Sequence, residues 1–133
     1  MLAGINWLSV IVAAAAGYML GAVWFLPHAF GNTWMAGLGK NKEGLGSPIQ
    51  SMIVTAVTTL ITAICLAVIL QGCGATTLAE GTALGIIIGG GIVFATLVSD
   101  YLFQGASMKL LWTQGGYRFV YIVLMSAIIG AWH

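Results

Sequence analysis

The chain has 133 residues, of which 60% are hydrophobic and 5% charged, with four basic and three acidic side chains and a net charge of +1. Soluble domains carry roughly 25% charged residues, so a fully water-facing surface is excluded and the composition calls for an exterior that meets lipid. A balance this close to neutral also lacks the basic face that nucleic-acid binding needs.

The first apolar run, residues 5–26, predicts a membrane span closed by Pro27, with Trp7 and Trp24 near its ends, where aromatic belts sit. The run has no basic segment before it and is too long for a signal-peptide core, so a retained span is expected rather than a cleaved leader. Ala13, Gly17 and Gly21 recur every four residues and make a stripe of small side chains, which lets a second helix approach closely. Beyond Pro27, the residues Phe30, Trp34, Met35 and Leu38 have near-helical spacing. That pattern predicts a short amphipathic helix lying on the headgroups, anchored by Phe30 and Trp34; a partner-binding surface is the other reading. The stretch "KNKEG" after it is solvated.

The second span is expected over residues 49–71. Pro48 suits a helix start, and Gly72 and Gly74 end it. Ser51, Thr55, Thr58 and Thr62 share one face at helical spacing. Such hydroxyls bond carbonyls of their own helix or cross to a neighbour; a hydroxyl-lined solute path is the alternative. Cys65 and Cys73 are eight residues apart, about 12 Å of helix, beyond the roughly 7 Å that a disulfide spans. They read as small packing residues, or, for Cys73, as an intermolecular bridge. The short connection "GCGATTLA" predicts an antiparallel hairpin between the second and third spans.

The third span is expected over residues 80–103. Gly81, Gly85 and Gly89 form a second small-residue stripe. Asp100 follows nineteen uncharged residues. It lies about 30 Å from Glu80 along a helix, roughly the thickness of the hydrocarbon core, which puts it near the membrane edge. The fourth span, residues 112–132, begins somewhere between Leu110 and Tyr117, with Trp112 and Trp132 as interfacial anchors. Ser126 and Gly130 continue the small-residue theme. Arg118 falls roughly 9 Å inside the core edge when measured from Trp112. A guanidinium at that depth snorkels or finds an anion, and Asp100 is the nearest candidate in the sequence for a buried ion pair.

These elements predict one all-α domain over residues 1–133, an integral membrane four-helix bundle of two antiparallel helical hairpins with a short interfacial helix in the first loop. Four spans place Lys40, Lys42, Lys109 and Arg118 on one side. The positive-inside rule makes that side cytoplasmic and both termini periplasmic, in a bacterial inner membrane. His28 and His133 then lie on opposite sides and share no metal. No paired carboxylates, Ser/His/Asp set, phosphate-binding loop or CxxC occurs, so no enzyme activity, cofactor or metal is expected.

Two stretches resemble a known family. "INWLSVIVAAAAGYMLGAVWFLPHAFGNTWM", with its Asn-Trp start and aromatic exit, resembles the N-terminal signature of an uncharacterised bacterial family of small membrane proteins, domain of unknown function 1761. "LLWTQGGYRFVYIVLMSAIIGAW", with Gly-Tyr before the last span and Gly-Ala-Trp after it, resembles its C-terminal signature. The resemblance covers nearly the whole chain. It implies a four-helix integral membrane fold and brings no activity. Members often have an acidic residue where this chain has Gln104. Beyond the lipid bilayer, the expected partners are other membrane-protein subunits or further copies of the chain. The leading functional expectation is a non-enzymatic accessory or assembly subunit of a larger membrane complex; a small-solute transporter or channel acting as an oligomer is the alternative.

Overall fold

The computed structural model describes residues 4–24, 48–105 and 108–132. The regular elements among the described residues are all helices, with no strand. Helix α1 runs Trp7–Trp24 and α2 runs Pro48–Gly72. A single 27-residue helical rod, Leu78–Gln104, follows. It is α-helical over Leu78–Ile86 (α3), π-helical over Ile87–Phe94 and α-helical again over Ala95–Gln104 (α4). The last helix, α5, runs Met108–Ala131. The expected interfacial helix with Phe30 and Trp34, together with His28, Lys40, Lys42 and His133, lies outside the described residues.

Local chemistry explains the ends. Helix α2 stops because Gly74 takes a left-handed φ of 70°, a conformation open to glycine at no steric cost. The Ala75 N–H then donates to the Leu70 carbonyl at 2.9 Å and the Gly74 N–H to the Gln71 carbonyl at 3.1 Å, the two bonds of a Schellman cap. Buried Ala75 and Leu70 provide its apolar contact. Helix α3 starts at the N-cap Thr77, whose hydroxyl accepts from the Glu80 N–H at 3.1 Å. The Glu80 carboxylate in turn accepts from the Thr77 hydroxyl at 3.0 Å and the Thr76 N–H at 3.4 Å, a variant of the capping box. Glu80 thus serves the helix start as well as marking its level.

Among the described residues three helices are long and apolar enough to cross a membrane: Trp7–Trp24, Met52–Gly72 and Leu78–Gln104. They bury only a modest share of their residues inside the protein and turn outward large apolar side chains such as Ile11, Met19, Ile53, Ile69, Ile87 and Ile92. Helix α5 differs. Its 24 residues reach about 36 Å, but its first half carries Thr113, Gln114 and Arg118. It is the element against which all the others pack: α1, α2, α3, the π-helical segment and α4 each contact it. Tyr117, Tyr121, Ile122, Met125 and Ile129 of α5 are buried in one cluster with Val10, Ala13, Ala63, Leu66, Ala67 and Leu70 of α1 and α2. The short connection between α2 and α3 does not produce the expected hairpin packing, for these two helices do not run along one another and each lies against α5. A tight turn constrains only the ends it joins, and closer approach to α5 along a glycine seam decides the rest.

Candidate functional site

Two seams hold α5. The Gly81 stripe meets it antiparallel. Gly81 lies against Ser126 and Gly130, Gly85 against Val123 and Ser126, and Gly89 against Phe119 and Ile122. A Cβ built on Gly85 would stand 2.9 Å from the Val123 Cα, and one on Gly130 would stand 2.8 Å from the Gly81 Cα, so the backbones themselves are in contact. The seam then continues at Phe94, whose ring would lie 2.7 Å from a Cβ on Gly115. Residues four apart in an α-helix drift about 40° around the axis per step. The step from Gly89 to Phe94 is five, and the π-helical segment, with its i→i+5 bonds, keeps that residue on the seam. The second stripe, Ala13, Gly17 and Gly21, also faces α5. Met125 and Tyr121 fill the space over Gly17, Tyr117 fills that over Gly21, and Ala13 is fully buried.

At one end of α5 a polar and aromatic cluster forms. The Trp24 indole N–H donates to the Thr113 carbonyl at 2.9 Å, and its ring lies 6.3 Å from that of Tyr117. Half-buried Trp24 therefore ties α1 to α5, beyond any anchoring at the interface. The Thr113 hydroxyl donates to the Lys109 carbonyl at 2.8 Å. The Tyr101 hydroxyl donates to Gln114 Oε1, joining α4 to α5. The guanidinium carbon of half-buried Arg118 stands 5.0 Å from the centroid of the Tyr117 ring and 5.2 Å from that of Tyr121. Both distances are within cation–π range.

The expected ion pair is not formed. Asp100 is exposed on α4, and among the described residues no carboxylate pairs with Arg118. The reason is register: the i−1 and i+3 tyrosines bracket Arg118 on its own helix and present ring faces to it, while Asp100 turns outward. Asp100→Asn is accordingly expected to leave thermal unfolding in detergent unchanged. Its combination with Arg118→Gln is expected to be additive; a coupling above about 0.5 kcal/mol would restore the pair.

Of the remaining anchors, Trp7, Trp112 and Trp132 are exposed, with the Trp112 ring 5.4 Å from that of Phe94. The Trp132 carbonyl accepts from Asn6 Nδ2 at 3.3 Å. On the hydroxyl face of α2, Thr58 donates to the Thr55 carbonyl at 3.0 Å and Thr62 to that of Thr58 at 2.8 Å. Cys65 and Cys73 are free and exposed, so neither packs in the interior. At the end opposite the Arg118 cluster, a cavity of about 160 Å³ opens between Asn6, Ser9, Ala67, Gln71, Thr76 and Ile129. Sequence spacing missed both the Trp24–Thr113 tie and the Tyr101–Gln114 bond. Neither partner is a neighbour in the chain, and only the glycine seams bring them together. Among the described residues no group of His, Cys, Asp and Glu side chains is placed to hold a metal.

A family model described as "Protein of unknown function (DUF1761)" matches residues 8–130. No curated protein and no solved structure matches the chain.

Proposed function

The chain belongs to this family of unknown function, and from that premise we propose that it is a four-span integral membrane protein of the bacterial inner membrane, both termini periplasmic, acting as a non-enzymatic accessory or assembly subunit of a larger membrane complex. The observation that carries this reading is the packing around α5. Its buried side chains and the two glycine seams fill the middle of the fold with apolar groups and apposed backbones, while large apolar side chains of α1, α2 and the Leu78–Gln104 rod are left outside for lipid or other subunits. A helix buried among others tolerates polar and charged residues that a lipid-facing one does not, which supports α5 as the fourth span despite Gln114 and Arg118.

Purification of the full chain in mild detergent tests the role. Co-migration with a larger complex of defined composition is the expected result; a homo-oligomer that carries solute in vesicles would replace this reading with transport. One observation favours that second reading, the cluster of Arg118, Gln114 and Tyr101 within the helical part of the chain. The orientation has its own test. A reporter active only outside the cytoplasm, fused after His133, is expected to be active, because with four spans all four basic residues would fall on the opposite side, which the positive-inside rule makes cytoplasmic. Activity of a cytoplasmic reporter at that position would reverse the topology.

A further inference from the structure

We propose that Arg118 is the centre of an anion site that takes a phosphate group from an acidic phospholipid headgroup of the adjoining leaflet. The reasoning begins with what the guanidinium lacks. It presents five N–H donors and no acceptor, and it is always charged. Among the described residues it has no carboxylate partner; it stands over the two tyrosine ring faces and close enough to the Tyr101 phenol to interact with it electrostatically. Ring faces attract the cation but accept none of its N–H groups in the way a carboxylate or phosphate does. The charge is half-buried and sits about 9 Å along the helix from Trp112. An arginine at such a level reaches toward the headgroups and meets phosphate there.

A second observation points the same way. Gln114 lies one turn before Arg118 on the same face of α5, the i, i+4 relation. Its Oε1 accepts from the Tyr101 hydroxyl, and its amide nitrogen carries two N–H donors. The arrangement therefore offers a planar, fork-shaped donor backed by two rings and an amide donor one turn away. Planar bidentate recognition of a phosphate uses this geometry, and a lysine in its place would act as a point charge alone. Asp100 is exposed on α4 and makes no ion pair with Arg118 among the described residues. The inference rests on the membrane placement, which membrane fractionation and the reporter fusion test separately, and not on the accessory role.

The test uses the full chain in nanodiscs of phosphatidylcholine alone or with phosphatidylglycerol, read by thermal unfolding and by lipid retained in native mass spectrometry. Phosphatidylglycerol is expected to stabilise the wild-type protein over phosphatidylcholine and to be retained preferentially. Arg118→Gln is expected to lower that retention roughly tenfold, as the loss of one charge-assisted contact requires. Arg118→Lys is expected to keep part of it, Gln114→Leu to weaken it less, and Lys109→Gln, an exposed charge on the same helix, to leave it unchanged. Inorganic phosphate added to the phosphatidylcholine discs distinguishes the source. Stabilisation by phosphate that Arg118→Gln removes, without any phosphatidylglycerol preference, assigns the site to a free anion. No preference for either anion in the wild-type protein overturns the proposal, even if Arg118→Gln fails to fold. Equal retention of phosphatidylglycerol by a folded Arg118→Gln protein overturns it as well.

Discussion

Gly85→Leu is expected to unfold the protein or lower its stability by at least about 3 kcal/mol, the upper range for forcing a large side chain into a packed interior. The first atom it adds would already lie 2.9 Å from the Val123 Cα and 2.9 Å from the Ser126 Cβ. A flexible side chain gives way cheaply, but a Cα moves only if α3 and α5 separate. That separation would also loosen Gly81 from Gly130, because both contacts belong to one seam. Gly91→Leu is the control. Gly91 lies in the same rod, is exposed, and has nothing within 4 Å of the position its Cβ would take. Thermal unfolding and protease resistance in detergent check the pair. Equal behaviour of the two variants would place the Gly85 stripe against lipid and remove α5 from the centre of the fold.

On the other seam, Gly17→Leu and Met125→Ala are expected to damage the protein singly and to compensate together. Met125 is fully buried, and its Sδ would lie 3.0 Å from a Cβ on Gly17. Leucine at position 17 overpacks the site, at about 1–3 kcal/mol. Truncating Met125 empties it, at about 2–5 kcal/mol in water-soluble cores. The lower end is expected here, since lipid is as apolar as the interior and the loss is mainly of packing contacts. In the double variant the leucine occupies the space the methionine leaves. A coupling of at least about 1 kcal/mol in a double-mutant cycle is expected. Strict additivity would show that Gly17 and Met125 do not share a cavity. The Tyr121 ring, whose Cδ2 would stand 3.2 Å from a Cβ on Gly17, limits how complete the compensation is.

Much of this architecture was legible in the residues. Length of apolar run located three helices to within two or three residues, because crossing a hydrocarbon layer needs a set number of apolar residues regardless of what they pack against. Pro48, Gly74 and the Thr77–Glu80 pair mark helix ends through local chemistry, which is written in adjacent residues. Both small-residue stripes were visible as a four-residue repeat, although the repeat says only that something approaches closely and not which helix does so. The family could be read from the two end signatures, and its model matches residues 8–130.

Partners across the fold were not legible in this way. From spacing and depth, Asp100 was the natural companion of Arg118, since both fall at a similar level on neighbouring helices. The structure gives Arg118 the rings of Tyr117 and Tyr121 instead, because rotation about a helix axis, and not depth, decides what a side chain meets. The length of the α2–α3 turn likewise suggested two helices side by side, whereas α5 is the element that both of them face. Sequence by itself determined what each helix is made of, where it starts and stops, and that the chain seeks lipid, since these depend on local propensity and on transfer from water. Only the tertiary structure decided that α5, with Gln114 and Arg118 along it, is the central helix, that both glycine stripes serve it, and that Trp24, Tyr101 and Gln114 converge near Arg118. Those outcomes depend on which pairs of backbones can approach most closely, a property of surfaces meeting in space that no single stretch of chain contains.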